Sequence, residues 1–287
     1  MKVLITGCRG QLGNALVKSA PATAEIVAVG REELDLTQSD CVAAFFATHK
    51  PSVVINAAAY TAVDQAESDR ERAHALNSDA VGVLAKLAAH YDARLVHVST
   101  DFVFGPGASR PIPPQAPTNP LSVYGKTKLE GERQAQNNSA DALIVRTAWV
   151  YARHGHNFVK TMIRLMNERN EVRVVADQIG APTFALGLAS ALWTLLEKRA
   201  SGIMHYSDAG AASWYDFAVA IQEESLVIGL LDRPAVIIPV RTEDYPTPAA
   251  RPSYSLLDNS ETWAMLGGPA PHWRTNLRKM LMELKND

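Results

Sequence analysis

Tyr124 and Lys128 stand four positions apart in Tyr124-Gly125-Lys126-Thr127-Lys128. On a helix that spacing puts both side chains on one face. A phenol ionises near pH 10, too high for easy proton exchange at neutrality, and a neighbouring ammonium lowers that value by stabilising the phenolate. Such a phenol can act as general acid toward a carbonyl oxygen. The plain alternative is a surface Tyr–Lys pair. Ser99-Thr100-Asp101 follows the apolar run Leu95–Val98. It therefore emerges at the carboxyl end of a strand, where open α/β sheets bind their ligands. Thr100 can offer its hydroxyl to the same carbonyl oxygen; otherwise Ser99 and Thr100 only cap a turn.

Gly7-Cys8-Arg9-Gly10-Gln11-Leu12-Gly13 lies between the apolar run Val3-Leu4-Ile5 and a helical stretch. Gly7 permits a tight turn, Gly10 lets a phosphate approach the backbone, and Gly13 lets the helix pack close to the sheet. The helix N-terminus then offers free N–H groups and a positive dipole end to a pyrophosphate. This is the pattern of a dinucleotide site, and it opens a βαβ frame, which a bare glycine turn does not. Roughly 20 residues on, an acid would bind the ribose of NAD. This chain has Gly30-Arg31, so Arg31, with Arg9 helping, is expected to pair with the 2′-phosphate of NADP. The alternative leaves Arg31 solvated and gives the ribose to Glu32, Glu33 or Asp35.

The elements that must position these residues alternate. Strands are expected at 3–5, 26–29, 53–55, 94–98 and 143–145. Helices are expected at 10–19, 39–49, 66–90 and 121–137. That rhythm predicts an α/β fold, a doubly wound parallel sheet of Rossmann type covered on both faces. Between Gly105 and Pro120 fall six of the chain's 16 prolines, which excludes a helix or inner strand and marks a long functional loop. Beyond Tyr151 helices are expected at 157–168, 184–198, 213–224 and 273–285, with short strands at 173–175, 203–205 and 236–238. The division is expected at residues 1–150 for the nucleotide domain and 151–287 for a smaller α/β substrate domain, with later segments free to cross back.

The chain has 287 residues, 28 basic and 30 acidic side chains, a formal charge of −2 and 47% apolar residues. A charge near zero gives no field for nucleic acid. No apolar run approaches the roughly 20 residues that span a bilayer, and disorder is excluded at this apolar content. Cys8 and Cys41 form no CxxC pair, and Met1–Gly7 carries no leader signal, so a reducing, cytoplasmic location is expected. His154 and His156 read as solvated loop histidines, His97 as a satisfied interior residue and Trp193 as core. No metal site is expected.

Taken with Asn56-Ala57-Ala58-Ala59-Tyr60-Thr61-Ala62-Val63-Asp64, Ser99-Thr100-Asp101-Phe102-Val103-Phe104, Arg146-Thr147-Ala148-Trp149-Val150-Tyr151, Asp177-Gln178-Ile179-Gly180-Ala181-Pro182-Thr183 and Arg251-Pro252, these motifs make the chain resemble the extended short-chain dehydrogenase/reductases nearly end to end. Within them it resembles the dTDP-4-dehydrorhamnose reductase branch. The resemblance implies Thr100, Tyr124 and Lys128 as the catalytic set, with Lys128 also holding the nicotinamide ribose. It implies NADPH, with NADH as the alternative, bound by Gly7, Gly10, Gln11, Leu12, Gly13, Gly30, Arg31, Asp35, Leu36, Ala57, Ala58, Ala59, Tyr60, Val98, Tyr124 and Lys128. It implies a dTDP-sugar substrate touched by Thr100, Asp101, Trp149 and Arg251, and reduction of its C4 ketone. Phe102 stands where related dehydratases carry a glutamate, which disfavours elimination. Asn14-Ala15 and Ala185-Leu186 replace carboxylates that hold a magnesium-bridged dimer in some relatives, so that assembly is not expected, and a homodimer is left open. Two other readings remain: a sugar-nucleotide epimerase with retained NAD, and a non-catalytic NADP-binding regulatory subunit.

Overall fold

The computed structural model describes residues 1–286. The first unit runs β1 (Lys2–Thr6), α1 (Gln11–Lys18), β2 (Glu25–Val29), α2 (Ser39–His49), β3 (Val53–Asn56), α3 (Val63–Ala66), α4 (Arg70–His74), α5 (Ala80–His90), β4 (Arg94–Thr100), α6 (Val123–Asn138) and β5 (Leu143–Thr147). There follow β6 (Val150–Tyr151), α7 (Phe158–Glu168), β7 (Glu171–Val175), β8 (Ile179–Gly180), β9 (Thr183–Phe184), α8 (Ala185–Glu197), β10 (Gly202–His205), β11 (Ala212–Ser213), α9 (Trp214–Ile228), β12 (Val236–Val240), α10 (Ser260–Leu266) and α11 (Trp273–Lys285).

Continuous apolar strands demand cover on both faces, and the sheet receives it. Its order is β10-β5-β4-β3-β1-β2, with every pairing parallel. Because strand side chains alternate, Val3, Ile5, Ile55 and Val145 face α1 and α8, while Leu4, Val54, Leu95 and Ile144 face α2 and α5. The strand order reverses between β1 and β3, and the carboxyl ends there open a crevice.

The sheet is not complete at residue 150. β10 returns to pair with β5, and α8 lies against α1, where Trp193 Nε1 donates to Leu16 O at 3.3 Å. The rest of the second half has its own core, with Tyr151, Val159, Met162, Phe217 and Leu277 around the parallel pair β7–β12. The helix expected over 66–90 runs without a gap from Arg70 to His90 as α4, a π-helical turn (Ala75–Asp79) and α5, and only α3 is set off from it, by the turn at 67–69. Within the π-helical turn the Asn77 side chain accepts from Tyr60 N at 2.8 Å and donates to Tyr60 O and to Thr127 Oγ1, each at 3.1 Å. It thereby ties the loop after β3 to α6; π-bulges often occur at such sites. The short helix α10 was not foreseen.

Candidate active site

The glycine loop leaves β1 with Gly7 at φ +71°, and a Cβ there would stand 2.8 Å from the Ala58 backbone. Only glycine lets these two loops close up. Gly10 begins α1 with no side chain capping its first N–H groups, which leaves that positive helix end facing the crevice. A cavity of about 650 Å³ opens there, lined by Gly7, Gly10, Gly30, Arg31, Asp35, Leu36 and Ala57–Tyr60, with Thr6, Leu34 and Arg72 beside them. A dinucleotide fits this cradle on shape and on its anion-binding backbone, and its rim carries arginines that are each paired with carboxylates. At that rim Arg31 lies 3.6 Å from Asp35, and Arg9 forks onto Glu32 and Glu33. Of the remaining expected cofactor residues, Leu12 is buried in the core. Gln11 turns toward the second half, accepting from Asn157 Nδ2 at 2.9 Å and donating to Val150 O at 3.4 Å.

The reacting end is built by β4 and α6. Thr100 ends β4 and caps the 3₁₀ turn Asp101–Val103, accepting from Phe102 N at 3.2 Å and donating to Asp101 Oδ1 at 3.1 Å. α6 starts where it does because Ser122 Oγ accepts from Gly125 N at 3.1 Å and Glu67 Oε1 accepts from Val123 N at 2.8 Å. Its first turn presses on the β4 tip so closely that a Cβ at Gly125 would stand 2.2 Å from Phe102 O. This contact sets Tyr124 within hydrogen-bond reach of Thr100 and edge-on to Phe102, ring centroids 5.5 Å apart. One turn later Lys128 is buried, and its Nζ donates to Val98 O at 2.7 Å.

The electrostatics differ from the sequence expectation. Burial, with the Asp101 charge adding to it, lifts the Tyr124 phenol to about 12 against its hydrogen-bond contact with Thr100. Lys128 does not pull it down, because the lysine nitrogen is turned onto Val98 O and His97. Burial in turn lowers Lys128 to about 8, with Glu132 opposing. The phenol therefore stands protonated across the neutral range, which is the form a proton donor needs. Asp101 is buried and pushed up to about 6, burial outweighing hydrogen bonds from Ser255 and Thr100.

Behind these groups Glu132 and Arg146 form a buried ion pair, Nη2–Oε2 2.7 Å and Nε–Oε1 2.9 Å. Ser99 Oγ donates to Glu132 at 2.5 Å, Arg146 Nη1 donates to Pro114 O at 3.0 Å, and the guanidinium lies 5.0 Å over Phe104. One network thus joins α6, β4, β5 and the proline-rich loop. That loop is held again by Ile112, whose N–H donates to Leu256 O and whose carbonyl accepts from Asp258 N, both at 2.8 Å.

The two outer substrate candidates have partners that spacing did not reveal. Trp149 has φ +47°, a left-handed conformation that is strained for an aromatic residue, and stacks on Trp214 at 3.5 Å and 8°. Arg251 grips Asp64, Nη2–Oδ2 2.7 Å and Nη1–Oδ1 3.0 Å, so the strap before β-bridged Tyr254 is clasped to α3. Asp64, Asn77, Trp214 and Glu132 were missed as positioning groups. Of these, Asp64 lies in the Asn56–Asp64 string and Trp214 in Trp214-Tyr215-Asp216-Phe217, a further string of the resemblance, and neither string assigned them a role. His154 lies 2.8 Å from Lys18. Among the described residues no helix is long and apolar enough to cross a membrane.

Comparison with known proteins adds the following. The family model for the RmlD substrate binding domain matches residues 1–286. The dTDP-4-dehydrorhamnose reductase of Burkholderia thailandensis is 42% identical over 285 residues, with 96% of each chain covered. Among solved structures, a dTDP-4-dehydrorhamnose reductase of Clostridium acetobutylicum superposes with a TM-score of 0.94 at 39% identity, covering 99% of this chain and 100% of that one. The Bacillus anthracis dTDP-4-dehydrorhamnose reductase, solved in complex with NADP, superposes with a TM-score of 0.92 at 34% identity over 98% and 99%.

Proposed function

The chain belongs to the RmlD substrate binding domain family, and on that footing we propose that it reduces the C4 ketone of dTDP-4-dehydro-6-deoxy-L-mannose to dTDP-L-rhamnose with NADPH. The observation that carries this reading is a crevice at the carboxyl ends of β1 and β3 and, at the tip of the adjacent strand β4, a buried protonated phenol within hydrogen-bond reach of a threonine hydroxyl. NADPH supplies the hydride when bound. Gly7, Gly10 and the start of α1 would hold its pyrophosphate, Arg31 its 2′-phosphate, and Ala57–Tyr60 the wall beside it. Thr100 would hydrogen-bond the ketone oxygen and orient it, and Tyr124 would deliver the proton as charge builds there. Holding the ketone against both donors removes much of the entropic barrier. Asp101 and Trp149 would take sugar contacts, and Arg251, steadied by Asp64, would face the diphosphate from the C-terminal strap. In this reading the residues after 150, apart from α8 and β10, which complete the first unit, form the sugar-nucleotide unit. The unpaired thiols Cys8 and Cys41 fit a reducing compartment.

The test is absorbance-monitored NADPH oxidation with the dTDP-ketosugar, beside UDP and GDP analogues. Oxidation in proportion to dTDP-ketosugar is expected. An epimerised product without net oxidation, or no turnover of any ketosugar, would overturn the reading.

A further inference from the structure

Lys128 belongs to a hydrogen-bond chain that continues beneath the site. Its Nζ lies 3.3 Å from His97 Nε2, and His97 Nδ1 lies 3.1 Å from Asn56 Nδ2. Asn56 Oδ1 in turn accepts from Thr6 Oγ1 at 2.7 Å and from Ala58 N at 3.2 Å. Thr6, Asn56, His97 and Lys128 are all buried. A backbone N–H can only donate, so Ala58 fixes which end of the Asn56 amide is oxygen. Asn56 Nδ2 must then donate to His97 Nδ1. A neutral imidazole whose Nδ1 accepts carries its proton on Nε2. Burial, with the Lys128 charge beside it, holds His97 well below its ordinary value, so the ring is neutral. Its N–H therefore points at the lysine nitrogen. A neutral amine can accept that hydrogen through its lone pair, whereas an ammonium has only donors to offer.

We propose that His97, with its tautomer fixed by Asn56, is a positioning residue that aims the Lys128 nitrogen and sets which protonation state it holds in the crevice. The inference rests on the reading of Lys128 as a catalytic group. Other titratable groups near Lys128 are few. Its own helix supplies Tyr124 and Glu132, the β4 tip supplies Asp101, and β5 supplies Arg146, which is committed to Glu132. The turn between α3 and α4 presents Glu67, which is held by Val123 N at the start of α6, and the π-helical turn and α5 present Asn77 and Val81, neither of them titratable. The amine thus has one neighbour, His97, whose proton can be moved from one nitrogen to the other by a change at a distance. Thr6 and Ala58 also line the cofactor cavity, so the chain runs from the cofactor wall to the catalytic nitrogen.

The test uses the full chain with ¹⁵N-labelled histidine, with and without NADP⁺, and long-range ¹H–¹⁵N spectra in which His97 is identified by its loss in His97→Gln. The wild type should show the proton on Nε2. Asn56→Asp places an acceptor opposite Nδ1, so the tautomer should reverse, Nε2 should accept from Lys128, and the alkaline limb of the pH dependence of kcat/KM should move up by ~1 unit. His97→Gln keeps a side-chain N–H2 within reach of Lys128 and should retain turnover that His97→Leu loses. A wild-type ring protonated on Nδ1, or a reversed tautomer with an unmoved alkaline limb, would overturn the proposal. A wild-type protein that shows the Nε2 proton but turns over no ketosugar would instead refute the catalytic reading on which it rests.

Discussion

Replacing Glu132 with leucine should cost about 3–5 kcal/mol of folding free energy, the usual consequence of leaving one member of a buried ion pair alone. The structure supports the upper part of that range. Glu132 is 1% exposed and Arg146 2% exposed, so water cannot replace the lost carboxylate. The guanidinium would retain only Pro114 O and the face of Phe104, and the Ser99 hydroxyl would lose its acceptor. Unfolding entropy of ~2.1 cal/mol/K per residue, over this chain, comes to ~0.6 kcal/mol/K, so Tm should fall by ~5–8 °C. Thermal unfolding followed by circular dichroism reads this directly. The pair Glu132→Leu with Arg146→Met should recover most of the loss, because an apolar pair of similar volume also avoids the desolvation cost. It should not recover kcat/KM, since the Arg146–Pro114 tie would still be lost and the proline-rich loop would keep only its backbone bonds through Ile112. A single-variant fall of under ~1 °C, or a double variant whose losses simply add, would refute the reasoning.

Tyr124→Phe should lower kcat by about 10²–10⁴ while leaving NADPH affinity unchanged in a fluorescence titration; unchanged turnover would remove the phenol from the chemistry. Arg31→Ala should weaken NADPH by ~10-fold, the scale of a charge-assisted hydrogen bond, and leave NADH unaffected. Equal effects on the two cofactors would show that the 2′-phosphate is read elsewhere, with Arg9 the next group to test. Burial pushes Asp208 up to about 7 and Asp101 up to about 6, both above the unfolded value near 4. Their contribution to stability is thus complete below pH 4 and is lost as pH rises through 6 to 7. Urea unfolding across pH 4–8 should show that decline, and Asp208→Asn should flatten it; an unaltered slope would exclude Asp208 as its source.

Most elements were legible because they are written locally. Trp273–Lys285 carries an amphipathic pattern and is started by its neighbour His272, which accepts from Arg274 N at 3.2 Å, and the apolar runs ending at Thr6, Asn56 and Thr100 read as inner strands. α10 escaped because seven residues are too few to display a period. The helix expected over 66–90 holds from Arg70 onward, and what the pattern could not show is its π-helical turn, where Asn77 spends its amide on Tyr60 and Thr127, partners that a local pattern does not contain.

The candidate site divides along the same line. Amino-acid order alone placed Gly7–Gly13 at a strand-to-helix turn, Thr100 at a strand tip, and Tyr124 and Lys128 on one helical face, since each of these depends on neighbours a few residues away. Tertiary structure decided how deep that face lies and what meets it. It lifted the Tyr124 phenol rather than lowering it, turned Lys128 toward His97, and brought Asp64 to Arg251 across 187 positions of chain. Proton affinities follow burial and hydrogen-bond partners, and both are set by contacts between segments that the spacing of residues along the chain does not encode.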